Sequence, residues 1–184
     1  MTLPAFDGLD SLPALQHLDL VAAPVASALT GWARTDEVAV VEIDPDLADT
    51  AAFCEAYNVR PEDSANCVVV AGKREGETRY AACMILATTR ADVNGVVRRR
   101  LDVRKASFAP MAEAVELTGM EYGGITPIGL PEGWPILVDA AVASADAVVI
   151  GSGIRGSKIA IPGRALVALP GAVVVEGLAN PVVP

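Results

Sequence analysis

Apolar and polar positions along this 184-residue chain fall into short blocks whose period changes from one block to the next. LVAAPVASALTGWA (20–33) reads as an N-terminal helix, and EVAVVEI (37–43) as a strand whose apolar positions first alternate and then run on. In DPDLADTAAFCEAYNV (44–59) Asp44 is placed to cap a helix, Pro45 takes its first position, and Leu47, Ala51, Cys54 and Tyr57 fall near helical spacing. NCVVVAG (66–72) and TRYAACMILA (78–87) are strands separated by the charged turn KREGE, which predicts a hairpin. ADVNGVVRRRL (91–101) follows as a helix capped by Asp92, and VRKASF (103–108) as a short strand. PMAEAVELTG (110–119) is a helix that begins at Pro110 and has Gly119 just outside its end. WPILVDA (134–140), DAVVIGSG (146–153) and SKIAI (157–161) are strands, PGRALVAL (162–169) is a last short helix, and the tail holds one more apolar, strand-like run.

Strands therefore arrive as hairpins and pairs, with helices at irregular intervals, and a regular βαβ doubly wound fold does not fit. The expected class is α/β of the α+β type: a mixed, largely antiparallel, barrel-like sheet surrounded by helices. No repeat or linker divides the chain, so residues 1–184 are expected to form one domain, with 1–36 as an N-terminal helical extension.

Hydrophobic residues make up 52% of the chain, yet no run approaches the roughly 18 apolar residues of a membrane span, and the start has no basic, apolar leader pattern. A soluble, cytoplasmic protein is expected. Cys54, Cys67 and Cys83 form no CxxC pair and His17 is the one histidine, which points away from a metal site, and no cofactor is expected. The same scarcity argues against a nucleophile activated by histidine. Net charge is −9, but Arg90 to Lys105 holds six cations against two acids, a local balance of +4 on an otherwise acidic body. Arg98, Arg99, Arg100, Arg104 and Lys105 are thus candidates for holding a phosphate backbone in one place. Trp32 and Trp134 are candidates for exposed aromatic contacts, as in a homodimer.

Two glycine-rich stretches interrupt the apolar blocks: YGGITPIGLP (122–131) before the strand at 134, and GSGIRG (151–156) after the strand at 146. Glycine and proline make poor strand or helix interiors, so these read as loops whose backbone a ligand can approach closely. Gly151, Gly153 and Gly156 match the spacing of a dinucleotide fingerprint, but that motif needs a helix directly after it, and SKIAI alternates like a strand. The pair of loops, with Asp139 ending an apolar strand and Arg155 inside the second loop, suits a small carbonyl or α-amino acid better than a bulky cofactor.

In this order, these residues resemble the YbaK family of aminoacyl-tRNA deacylases, which includes the free-standing Cys-tRNA deacylase and the editing domain inserted in prolyl-tRNA synthetases. The family pattern Gly-Gly-x-Ser/Thr-Pro-x-Gly is matched by Gly123, Gly124, Thr126, Pro127 and Gly129. Asp139 with Ala140, GSGIRG and the helix ending in VELTG match the other family segments, and the likeness spans Val38 to Leu169. The resemblance implies a barrel-like mixed sheet and trans-editing hydrolysis of the ester joining a mischarged amino acid to the 3′ end of tRNA. It implies no metal. Asn66, Thr126, Gly129 and Asp139 would then carry the chemistry, Gly123, Gly124, Pro127, Gly151, Gly153, Arg155 and Gly156 would bind the aminoacyl group, and the basic segment would contact acceptor-stem phosphates.

One position departs from the family. Relatives carry a lysine at the start of the strand that here begins ANCVVV, and Asn66 stands in its place; no lysine occurs from Met1 to Gly72. An amide can orient a water or a carbonyl, but it brings no charge. Three readings stay open at this point: an active deacylase, a member that binds tRNA or an aminoacyl-like molecule without turnover, and a protein-interaction domain with no nucleic-acid partner.

Overall fold

The computed structural model describes residues 3–182, which form a mixed α+β fold of three sheets and flanking helices. In chain order the elements are β1 (Leu12–Pro13), α1 (Ala23–Gly31), β2 (Ala39–Glu42), α2 (Thr50–Ala56), β3 (Ala65–Arg74), β4 (Glu77–Leu86), β5 (Thr89–Ala91), α3 (Arg98–Leu101), β6 (Ala106–Phe108) and α4 (Met111–Thr118). They continue with β7 (Ile136–Asp139), α5 (Ala140–Ala143), β8 (Val148–Gly151), β9 (Ser157–Ile161), α6 (Gly163–Leu166), β10 (Ala172–Val175) and β11 (Ala179–Pro181). One sheet has the order β1-β2-β9-β8, a second β10-β7-β4-β3-β6, and β11 pairs with β5. Pairing is antiparallel except where β7 lies parallel to β4 and to β10.

The strands do not close into a barrel. The two large sheets share a core, and their edges are joined by an isolated parallel bridge between Ser64 and Val149, next to the starts of β3 and β8. β6 pairs only with Val70 to Gly72, so the first half of β3 is an open edge, and β8 is the outer strand of its own sheet. Two edges that meet at one point leave a wedge between them.

The long apolar run of β4 is explained by burial on both faces. Met84 packs with Ile136, Val138 and the α1 residues Val25 and Leu29 in one core. Ala81, Cys83 and Ile85 point the other way, against Val97, Leu101 and Leu178. A third cluster gathers Phe53, Val41, Ile43 and Val149 around α2. The hairpin predicted at KREGE is present, with Glu75 and Gly76 both at positive φ (53° and 86°), as a two-residue turn between right-twisted strands requires.

Two expected helices are altered. The one expected over 44–59 is a single 3-10 turn, Pro45–Leu47, followed by α2. Asp44 Oδ1 accepts from Asp46 N (2.9 Å), capping only that turn. Pro45 O accepts from Ala48 N within the turn (3.4 Å) and also from Arg155 Nε (3.2 Å), while Ala48 O accepts from Lys158 Nζ (2.7 Å). The helix expected over 91–101 opens as a π-helical turn, Val93–Val97, and becomes α-helical only at α3. There the Asp92 carboxylate accepts from Gly95 N (2.9 Å) and Val96 N (3.1 Å), in space that a Cβ at position 95 would occupy. Trp32 and Trp134 are half-buried rather than exposed contacts, Trp32 packed against the core and the Trp134 ring stacked 4.7 Å from that of Tyr80. Among the described residues no helix is long and apolar enough to cross a membrane.

Glu37 is buried just before β2 and ion-pairs with Arg34 Nε (2.6 Å) and with Arg164 Nη2 of α6 (2.7 Å). The hydrogen bond from Arg34 outweighs desolvation and holds the Glu37 carboxyl below its usual pKa. A carboxylate whose pKa is depressed on folding adds stability above its unfolded value, about 4.3, and that contribution is lost as pH falls through the folded value. Glu37→Gln should therefore lower Tm most near neutral pH, with the gap to the native chain closing below about pH 4 in thermal melts across pH.

Candidate functional site

The wedge between the two sheet edges is a cleft of ≈ 530 Å³. Ser64, Asn66 and Cys67 line it from β3 and the residue before it, Val149 and Gly151 from β8, and Lys158 from β9. Asp49 and Thr50 close one side, Gly123 and Ile125 another, and Phe108, Met111 and Tyr122 form a strongly exposed apolar mouth. The first half of β3 offers the cleft unpaired edge backbone, a source of fixed donors and acceptors.

The glycine-rich loops form the wall by packing backbone on backbone. Gly153 N donates to Gly124 O (2.7 Å), Glu121 N to Gly153 O (2.8 Å), and Gly124 N to Glu121 O (3.0 Å). A Cβ at Gly151 would lie 2.5 Å from Gly124 O, and one at Gly124 would lie 2.8 Å from Ile154 O. Side chains are missing because the loops interlock. Behind them, Ser152 Oγ and Ser157 Oγ lie 2.7 Å apart, and Ser152 Oγ lies 3.0 Å from Ser157 O.

Arg155 ties three segments across the rim. Its backbone N donates to Glu121 Oε2 (2.6 Å), its Nε to Pro45 O, and its Nη1 lies 3.4 Å from Asp49 Oδ1 and 3.5 Å from Tyr122 O. Gly123, at φ 84°, leaves the space the guanidinium fills: a Cβ there would sit 2.5 Å from Nη1.

Inside the cleft, Asn66 Oδ1 accepts from Thr50 Oγ1 (2.8 Å). Lys158 reaches the same turn from the opposite sheet, donating to Ala48 O (2.7 Å) with its ammonium 5.4 Å from the centre of the Phe53 ring. Burial lowers the Lys158 pKa, the Arg155 charge lowers it further, and Asp49 and Cys54 oppose both. Burial raises the pKa of the Cys67 thiol, and that of Cys83 is pushed up to about 12, so neither presents a thiolate at neutral pH.

Of the residues expected to carry chemistry, Asn66 alone lines this cleft. Thr126 is fully buried. Asp139 accepts from Ala141 N (3.0 Å), capping α5, and from Ala179 N (3.1 Å), anchoring β11. Gly129 packs against the backbone of α1, and with Pro127 it lines a second cavity, of ≈ 670 Å³, beside Trp32 and Trp134. Of the residues expected to bind the aminoacyl group, Gly123 and Gly151 line the cleft, Gly124 and Gly153 lock its wall, and Arg155 crosses its rim. Gly156 O accepts from Ile43 N (3.0 Å), which ties the loop to the end of β2.

In the basic segment Arg99, Arg100, Arg104 and Lys105 are exposed and make no ion pair among the described residues, while Arg98 Nε is turned to Asn94 O (2.8 Å). Its acids are engaged elsewhere: Asp92 caps the π turn, and Asp102 pairs with Arg79 (3.2 Å) and Arg74 (3.4 Å). β6 links this segment to the mouth, Lys105 and Phe108 being three residues, or about 10 Å, apart along a strand. Lys158 was not among the residues expected at the site. Its one sequence signal is a cation set within the apolar strand SKIAI, because the position says nothing of which cavity the side chain enters.

Fold and cleft together define a domain of mixed α+β type whose cleft has one wall made of interlocked glycine turns. Residues 44–169 match the family described as the aminoacyl-tRNA editing domain. The chain belongs to this YbaK-like family of aminoacyl-tRNA editing domains. Among solved structures it is similar to the hypothetical protein APE2540, with TM-score 0.73 and 23% identity over 85% of this chain and 99% of that one. A candidate trans-editing enzyme for prolyl-tRNA synthetase superposes with TM-score 0.68 and 22% identity, over 84% of this chain and 96% of the other. A scaffold protein used for computational epitope grafting gives TM-score 0.71 and 21% identity, over 84% and 95%. At these identities the structures establish the shared fold. No curated protein matches the sequence.

Gly123→Ala should destabilise the chain by about 1–3 kcal/mol in urea unfolding, since it strains a positive-φ position and displaces Arg155. In an Arg155→Ala background the clash is gone, so the same change should cost measurably less in a double-mutant cycle.

Proposed function

We propose that this protein is an aminoacyl-tRNA deacylase, which hydrolyses the ester between a small amino acid and the 3′-terminal ribose of a mischarged tRNA. The observation that carries this reading is the placement of the cleft. It is a small pocket with fixed polar groups, and its mouth lies one short strand away from a segment of unpaired cations. The acceptor end would enter past Phe108 and Tyr122, 57% and 61% exposed, whose rings offer stacking faces to an unpaired base. Arg99, Arg100, Arg104 and Lys105 would hold acceptor-stem phosphates, which positions the RNA without reading its sequence.

In the reaction, the oxygen of a water joins the acyl carbon and the bond from that carbon to the ribose oxygen breaks. One water proton ends on the ribose oxygen, and the amino acid leaves as a carboxylate with release of the other. Thr50 fixes the Asn66 amide by donating to its Oδ1, leaving Nδ2, which has no protein acceptor among the described residues, to orient the water or the substrate carbonyl. Cys67, Val68, Val69, Ile125 and Ile150 give the pocket an apolar lining suited to a small aminoacyl side chain.

A panel of mischarged tRNAs tests the reading: the native chain should release a small amino acid faster than the uncatalysed rate, and Asn66→Ala should lower kcat on the order of 10²-fold. Binding without turnover on every tRNA would identify a binding domain instead. Replacing Arg99, Arg100, Arg104 and Lys105 with Ala should weaken tRNA binding at low salt. It should also flatten the slope of log K against log salt concentration by about 0.9 for each duplex phosphate no longer neutralised. An unchanged slope would place the RNA elsewhere.

A further inference from the structure

We infer that Lys158 is a catalytic group of this cleft, its ammonium meeting the substrate's carbonyl oxygen as negative charge develops there. The inference rests on the deacylase reading for the identity of that carbonyl.

Lys158 is only 8% exposed and sits in β9, where every residue is buried. Across the ladder it faces Gly151 on one side and Val41 on the other. Position 151 carries no side chain, its place being taken by the Gly124 and Ile125 carbonyls of the glycine-rich loop, and Lys158 lines the cleft beside them. No carboxylate lies within ion-pair distance of Nζ among the described residues. The acid that acts on it, Asp49, is itself engaged by Arg155 (3.4 Å). The other groups acting on the ammonium are the like-charged Arg155 guanidinium, the Phe53 ring, the Cys54 thiol and the Ala48 carbonyl, which takes one of its three protons.

A buried ammonium with one neutral acceptor and no counter-ion carries a desolvation cost that a purely structural side chain would avoid. A methionine of similar volume would fill the same space without it. Such a charge is compensated when an anionic oxygen arrives. The ammonium and the Asn66 amide flank the same 48–50 turn, held by Ala48 O and Thr50 Oγ1, so one substrate carbonyl can face both. A preorganised cation in a site shielded from water stabilises developing charge more strongly than ground-state charge, and so acts on kcat.

The test uses the full chain, with Lys158→Met and Lys158→Gln, on the mischarged tRNA that the native chain hydrolyses. For both, kcat should fall on the order of 10²–10³-fold with KM within about twofold, and the Tm of Lys158→Met should equal or exceed that of the native chain. A kcat within threefold of native, a loss confined to KM as a ground-state phosphate anchor would give, or a fall in Tm that accounts for the lost activity would each overturn the inference.

A second readout does not need turnover. The chain has three lysines, and Lys73 and Lys105 are exposed. Limited acetylation with acetic anhydride, mapped by mass spectrometry, is compared with and without 3′-alanylamino-3′-deoxyadenosine, in which an amide replaces the ester. Lys158 alone should be protected, several-fold. Equal modification of Lys158 with and without the analogue at saturation overturns the contact. Turnover in the native chain with no effect of the Lys158 variants would sink this inference and leave the deacylase reading standing. Protection of Lys158 in a chain that hydrolyses no ester would support the contact and count against hydrolysis.

Discussion

Two sheet edges meet at one bridge, Ser64 to Val149, and then part; the cleft is the space between them. Had β3 and β8 paired along their length, the strands would have closed and their N–H and C=O groups would have satisfied each other. Because β6 covers only the second half of β3, the first half keeps an open edge that faces the cleft, not bulk solvent. An open edge is usually a liability for aggregation, and here the 48–50 turn and the glycine loops cover it.

The wall on the other side is made of main chain. Gly124 and Gly153 share a hydrogen bond at a spacing that side chains would forbid, and the same closeness lets Arg155 thread past Gly123 to reach Pro45 O and Asp49. The N-terminal segment joins this assembly where Ala22 N donates to Ser152 O and Ser157 Oγ donates to Leu20 O. Two buried charges then stand in opposite settings. Glu37 is surrounded by Arg34 and Arg164 and is explained by the stability of its pairing. Lys158 has one carbonyl and an aromatic face, too little to explain its burial by structure alone.

Much of this was legible in the residues. The hairpin at KREGE follows from two apolar runs around a turn able to adopt positive φ, and the alternation of SKIAI is that of the strand β9. The helix expected over 44–59 is a 3-10 turn and α2, and its carbonyls meet partners no local rule contains: Arg155 joins Ala48 N at Pro45 O, and Lys158 takes Ala48 O. The π turn after Asp92 was hidden as well, since a capping aspartate looks the same in sequence whether the helix behind it is regular or widened. Asn66, Gly123 and Gly151, expected from motif spacing that marks bare backbone or a strand start, line the cleft together. Asp139 read as a reactive acid, but its two oxygens are occupied by backbone N–H groups.

Periodicity and turn chemistry in the sequence alone determined the strands, the mixed, largely antiparallel architecture and the two glycine turns, because each depends on neighbours within a few residues. Motif order pointed from there to the family. Tertiary structure decided which groups share the cleft: Asn66 from one sheet, Lys158 from the other, and Asp49 and Thr50 from a turn the pattern read as helix. It also decided that the glycines of YGGITPIGLP serve loop-to-loop contact as well as ligand approach. Those outcomes rest on contacts between residues about 16 to 110 positions apart, whose energies no local pattern encodes.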